Sequence, residues 1–171
     1  MQEDHEHFMR LALQDAQAAL SAGEFPVGCV LVRDSVVLAR GARQHSRTNT
    51  PRPFELDHAE IVALRDLEAN HPDIDRSAIT VYSTMEPCLM CYSTLLVNNI
   101  TRIVYAYEDV MGGGTGLSLA TLTPLYRELK ISLTPGILRR ESLELFRNFF
   151  RDPANDYWRD SLLANYTLSQ S

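Results

Sequence analysis

Two short stretches, His58-Ala59-Glu60 and Pro87-Cys88-Leu89-Met90-Cys91, constrain this chain more than anything else in it. One imidazole and two thiols are the donor types of a zinc site with three protein ligands and an open fourth position. The three-residue spacing of Cys88 and Cys91 puts both on one face of a helix. Pro87 predicts the first turn of that helix, where a missing N–H costs nothing. The free N–H groups and positive dipole end of such a turn favour thiolates. Glu60 is a hard oxygen donor, not needed as a ligand beside two thiolates. Its place two residues past His58 suits a proton shuttle between a water on the metal and a substrate nitrogen.

Each piece has a plainer reading by itself. A C-x-x-C pair also serves structural zinc or redox chemistry. A histidine at a helix start is often a cap or a core residue, and Asp57 with Glu60 fits an acidic variant of the capping box. The two motifs together, each at a predicted helix start, favour one metal centre. Cys29 is the only other cysteine, and its apolar surroundings read as buried strand rather than a fourth ligand.

At 171 residues the chain is expected to form one domain, 1–171, with 151–171 as a C-terminal helix or tail. Three cysteines make no disulfide framework, and thiolate ligands point to a reducing compartment, so the cytoplasm is expected. No secretory signal pattern and no apolar run of membrane-spanning length is visible. The formal net charge of −6 argues against broad nonspecific binding of nucleic acid.

Periodicity predicts a first helix over about 3–22, with His5 and His7 solvated, stopped by Gly23. Strands are expected at Val27–Val32 and Val36–Ala39 around a turn at 33–35. Gly28 is either a point of close backbone approach or a simple strand start. The connection 41–57 carries Arg43, Arg47 and Arg52, just after Arg40, which suits either a phosphate contact or a solvated loop. A helix from Asp57 carries Ile61, Val62, Leu64 and Leu67 to the core and stops near His71-Pro72. Ala78–Ser83 and Ile103–Tyr107 read as strands, and residues 111–116 as a flexible glycine loop without the Lys-Ser/Thr of a P-loop. A helix over Leu117–Leu129, a strand over Lys130–Leu133, a helix over Arg139–Phe150 and a tail with Tyr157, Trp158, Leu162 and Leu163 complete the reading.

With these elements in order, the chain resembles the cytidine deaminase-like zinc hydrolases. The carriers are H-A-E at 58–60 and P-C-x-x-C at 87–91. Phe25-Pro26-Val27-Gly28, Glu86, Gly136-Ile137-Leu138 and Phe149-Phe150-Arg151 are similar to the branch of tRNA adenosine deaminases and guanine deaminases. The resemblance implies an α/β fold of three layers, α-β-α, with a mixed central sheet of about five strands flanked by helices, and a homodimer. It implies Zn2+ on His58, Cys88 and Cys91, Glu60 as the catalytic proton shuttle, and hydrolytic loss of an exocyclic amine from a nucleobase, nucleoside or nucleotide. Ala59 would hold the substrate through its N–H, Phe25 would border the base, and Glu86 would contact it. The base-holding Asn of the branch falls at Arg43, with Asn49 as an alternative. Two further departures are Met111, where tRNA-acting relatives tend to carry Lys, and a tail with Asp152, Asp156 and Asp160 where they often carry a basic helix. These disfavour tRNA as partner, and no membrane partner is expected. Three other readings stay open: a tRNA adenosine deaminase using Arg43, Arg47, Arg52 and Arg102, a catalytically silent zinc domain for dimerisation, and a C-x-x-C redox protein.

Overall fold

The structure is a computed structural model and describes residues 2–47 and 54–170. Asn49 and Arg52, both singled out in the sequence, lie outside the described residues. Helix α1 (Gln2–Ser21) ends where Gly23 takes a φ of 77°, as its periodicity predicts. Strand β1 (Gly28–Arg33) turns into β2 (Val36–Ala42) at Asp34 and Ser35, with φ of 50° and 62°. Two positive φ values make the two-residue turn whose twist matches that of paired strands. Then come α2 (Ala59–Asn70), β3 (Thr80–Met85), α3 (Leu89–Val97) and β4 (Arg102–Tyr107). The chain finishes with α4 (Pro124–Arg127), β5 (Ser132–Thr134), α5 (Arg139–Arg151) and α6 (Leu162–Ser169).

The strands lie in the order β2-β1-β3-β4-β5. β1 is antiparallel to β2 and β3, while β3, β4 and β5 run parallel. This is the mixed five-stranded sheet the sequence predicts. Parallel neighbours need a crossover, and α3 supplies it between β3 and β4. The end of β3 therefore feeds directly into Glu86-Pro87-Cys88. Strand side chains alternate between two clusters, as a pleated sheet requires. Cys29, Leu31, Val81 and Ile103 join Ala63, Leu67 and Leu95 of α2 and α3, whereas Val30, Val32, Tyr82 and Val104 join Phe8, Met9 and Ala12 of α1.

Two glycines set how closely the helices approach the sheet. A Cβ on Gly28 would stand 2.0 Å from the Ala12 carbonyl oxygen, and one on Gly41 would stand 2.1 Å from that of Ala59. Gly28 is therefore a point of close approach and not merely the start of a strand. The contact at Gly41 seats the first residue of α2, and with it His58.

Several boundaries differ from the sequence reading. α2 starts at Ala59 with His58 as its cap, not at Asp57, and α3 starts at Leu89 with Cys88 as its cap. Pro87 thus precedes the cap and is not in the first turn. Ile61 and Val62 are half-buried, and Ala63 and Leu67 take the core positions. His5 is not free in solvent, because its Nδ1 lies 2.9 Å from the Tyr82 hydroxyl. No helix spans 117–129. The Pro124 ring forces Thr123 out of the helical region, to ψ of 160°, so only the single turn α4 forms after it.

The tail does form a last helix. Ser161 caps α6 by accepting from the Ala164 N–H at 3.1 Å. The Tyr166 hydroxyl donates to Glu108 Oε1 at 2.6 Å, and Arg139 holds both oxygens of the same carboxylate. Burial opposes the Glu108 charge, but the hydrogen bonds from Arg139 and Tyr166 outweigh it and hold the carboxyl at about 2. A lowered pKa contributes stability above the unfolded value, near 4.3, and that contribution disappears as pH falls through about 2. The wild type is expected to melt above Glu108→Gln at pH 7, with the gap closing as pH falls from about 4.3 toward 2. Calorimetry of the two proteins across that range checks it, and a gap independent of pH would contradict it.

Candidate active site

Helices α2 and α3 both begin at the same point, beside the end of β3. Their caps, His58 and Cys88, have extended backbones with ψ of 151° and 170°, and neither side chain caps a backbone N–H of its helix. Ser, Thr, Asp or Asn usually fills such positions to satisfy free N–H groups. Here the side chains turn toward each other. His58 Nδ1 lies 3.5 Å from Cys88 Sγ and 3.5 Å from Cys91 Sγ, and the three donor atoms fall within 4.8 Å of one another. Bond lengths of about 2.0–2.1 Å to nitrogen and about 2.3 Å to sulfur at a tetrahedral angle put N and S about 3.5 Å apart. The donor set therefore fits zinc in both chemistry and spacing. Among the described residues this is the one such cluster. Cys29 is fully buried in β1 and adds no fourth donor.

The hydrogen bond from the Cys91 thiol, and with it the His58 ring, draws the Cys88 thiol down to about 4 despite burial. The Cys91 thiol moves up, because it shares its proton with Cys88 and is buried. One thiolate next to one imidazole is a site ready to take a cation.

Glu60 is the second residue of α2 and is 3 % exposed. Ser83 Oγ donates to its Oε1 at 3.0 Å. Burial raises the Glu60 pKa, against the hydrogen bonds from its own backbone and from Ser83. A carboxyl raised in this way holds a proton more readily than a solvated one, which suits a group that takes and returns protons. Ser83 was not singled out from the sequence. Its only signal is a hydroxyl, next to that of Thr84, at the end of a strand that reads as buried. The expected acidic capping box does not form. Asp57 binds Arg65 at 2.6 Å and His45 at 2.7 Å, and these hydrogen bonds, Arg65 first, lower its pKa.

A cavity of about 650 Å³, its open mouth included, lies over these residues. His58, Ala59, Glu60 and Cys88 form its floor. Phe25 forms one side, together with Val27, and is held in an aromatic cluster with Phe146, Phe149, Phe150 and Tyr157. Ala59 is the first residue of α2, so its N–H is one of those a helix leaves without an internal acceptor. Asp109, Met111 and Gly112 form a second wall, and Tyr157, Trp158 and Leu163 of the C-terminal segment form a third. The sequence singled out Met111, Tyr157, Trp158 and Leu163 but did not assign them to the site.

The structure places two expected substrate contacts in other work. Arg43 is 3 % exposed. It donates from Nη1 to the carbonyls of Gln44 and Phe54 and from Nη2 to Glu55 and Tyr157. It lines the cavity with its donors directed into the protein, not toward a phosphate. Glu86 accepts from the Asp109 N–H through Oε2 and from the Thr115 hydroxyl through Oε1. Both of its oxygens hold the 109–116 loop.

That loop is ordered and not flexible. Asp109 accepts from the N–H groups of Met111 and Gly112, and Gly114 N–H donates to the Pro87 carbonyl at 2.9 Å. A Cβ on Gly113 would fall 2.5 Å from Glu86 Oε2, and one on Gly114 would fall 2.7 Å from the Leu89 backbone. The glycines permit close stacking over the start of α3, a tertiary contact with no local signature.

Among the described residues, the other arginines singled out in the sequence do not line the cavity. Arg40 binds Asp15 through two nitrogens and the Leu11 carbonyl. Arg47 borders a separate hollow beside Gly23 and Asn155. Arg102 begins β4, at the far end of the sheet, and donates to the Ser77 carbonyl.

Comparison with known proteins adds a second line of evidence. Residues 2–107 match the family described as cytidine and deoxycytidylate deaminase zinc-binding region. The tRNA-specific adenosine deaminase of Haemophilus influenzae is 32 % identical over 150 residues, covering 87 % of this chain and 84 % of the relative. That of Streptococcus pyogenes serotype M18 is 27 % identical over 149 residues, covering 87 % and 91 %. A solved tRNA:A34 deaminase superposes with a TM-score of 0.65 at 28 % identity, covering 81 % of this chain and 98 % of the other. The guanine deaminase of Nitrosomonas europaea shares the fold, with a TM-score of 0.66 at 20 % identity, covering 84 % and 83 %.

The order of the loop is testable. Gly113→Ala is expected to lift residues 109–116 off Glu86 and to raise the rate of limited proteolysis there about tenfold or more, since cleavage follows the population of the open form. Unchanged cleavage would show that the glycine contact does not hold the loop.

Proposed function

Because this chain belongs to the cytidine and deoxycytidylate deaminase family of zinc enzymes, we propose that it removes the exocyclic amine from a free nucleobase or a nucleoside by hydrolysis. His58, Cys88 and Cys91 hold the zinc in this reading. Zinc, when bound, supplies a Lewis acid that brings a water's pKa to about 7. Glu60 takes a proton from the attacking water and delivers it to the ring nitrogen. It then carries a proton to the departing amine. A carbon–oxygen bond forms, the carbon–nitrogen bond breaks, and a ring carbonyl and ammonia result. The Ala59 N–H steadies the atom being converted, and Phe25 fixes the plane of the base.

The observation that carries the choice of substrate is the charge of the cavity wall. Glu55, Glu86 and Asp109 line it besides Glu60, while Arg43 is tied to protein acceptors. Glu55, Glu86 and Asp109 are already held by protein donors, and what they contribute to the cavity is negative charge, which repels phosphate. Trp158, 47 % exposed at the cavity edge, offers a flat face for a base.

Similarity to tRNA-specific adenosine deaminases favours a second reading, adenosine deamination in tRNA. A homodimer and a cytoplasmic setting belong to the main proposal. Exposed Leu89 and Val97 on α3 support the former, and thiol ligands support the latter. Among the described residues no helix is long and apolar enough to cross a membrane. A monomer by light scattering would remove the dimer.

Ammonia release across free bases, nucleosides, nucleotides and a transcribed tRNA tests the substrate. Turnover is expected from at least one base or nucleoside, with the 5′-phosphate slower. Turnover confined to tRNA would transfer the assignment to the second reading. Glu60→Gln is expected to lower kcat by about 10²-fold or more while zinc stays bound, and undiminished turnover would remove Glu60 from its role.

A further inference from the structure

One carboxylate oxygen, Glu55 Oε2, is shared by groups from three separated parts of the chain. The Tyr157 hydroxyl donates to it at 2.9 Å and Arg43 Nη2 at 3.2 Å, and His58 Nε2 lies 3.6 Å away, just beyond hydrogen-bond reach. The other His58 nitrogen, Nδ1, faces the two thiols. A histidine that binds metal through one nitrogen is oriented, and its tautomer chosen, by what the second nitrogen faces.

Glu55 is badly placed to fix its own position. Its side chain is 55 % exposed and it sits in a turn. The groups behind it are rigid. The Arg43 side chain is 2 % exposed, donates to two backbone carbonyls and lies 5.7 Å from the centre of the Tyr157 ring. Tyr157 is itself buried against Phe25. This also gives Arg43 a purpose at a position where the resemblance implied an Asn.

We propose that Glu55 is a positioning residue for His58, and that Arg43 and Tyr157 hold Glu55 in place, so that the C-terminal segment tunes the affinity of the metal centre. The inference rests on the reading of His58 as a zinc ligand.

Zinc affinity of the full chain, measured by competition with a chromophoric chelator, tests it alongside the melting temperature of the zinc-free protein. Glu55→Gln keeps an acceptor for Tyr157 and Arg43 and removes the charge. It is expected to weaken zinc binding about 10–100-fold with zinc-free melting unchanged, and Glu55→Asp is expected to recover part of the loss. Tyr157→Phe is expected to weaken binding by a smaller factor and to add nothing in the Glu55→Gln background, as befits groups acting through one another. Wild-type affinity in Glu55→Gln, with binding lost in His58→Ala, overturns the positioning role and leaves the ligand intact. A matching fall in zinc-free melting overturns it in favour of a structural role. An added loss from Tyr157→Phe in the Glu55→Gln background overturns the route from the tail. A wild type that binds no zinc instead removes the reading of His58 on which all of this stands.

Discussion

Two helices start at one place, and each gives up its cap to make the site. His58 and Cys88 occupy positions where a short polar side chain would satisfy free backbone N–H groups, at a cost of about 1 kcal/mol for each cap forgone. The return is a cluster of one imidazole and two thiols, surrounded by the positive ends of two helix dipoles. The rest of the structure serves to bring those starts together. Strands β3 and β4 run parallel with α3 between them, so the P-C-x-x-C turn must lie at the end of β3. Gly41 lets β2 touch the first turn of α2, which delivers His58 and Glu60 to the same edge.

Burial then separates the roles of the ionisable groups. Glu60 loses water on entering the core and keeps its proton more readily, while the Ser83 hydroxyl limits that effect and fixes one carboxylate oxygen. Glu86, two residues before Cys88, has a different task. Its oxygens draw the glycine loop over the start of α3, which makes the loop a wall of the cavity. Two carboxylates near one metal centre thus do unlike work, because one is buried beside the floor of the cavity and the other is saturated by a loop.

The central motif was legible because its chemistry is encoded in residue type and spacing. An imidazole, a carboxylate two residues on, and a thiol pair three apart suit one another in few other ways. The strands and the hairpin at Asp34-Ser35 were legible as well from apolar runs and turn residues, while the mixed five-stranded order was what the resemblance implied. Helix 117–129 was misread because apolar spacing outweighed Pro124, whose ring in fact stops the helix. The glycine run 112–114 was misread as flexible because glycine permits mobility and close contact alike, and only the neighbours decide between them. Arg43 looked like a candidate for phosphate for a similar reason, since a guanidinium in a loop carries no mark of the carbonyls it will meet.

By itself the sequence offered the candidate zinc donors and the carboxylate proposed for proton transfer, which rest on residue type and spacing, while the family and the mixed sheet came from the resemblance that those motifs carry. The tertiary structure alone decided the shape and charge of the cavity. Its walls come from residues near 25, 43, 55, 109–112 and 157–163, and no spacing rule connects segments that meet only after the sheet has formed. The physical reason is that each of these side chains has several possible partners, and burial chooses among them by requiring every polar group it encloses to find one.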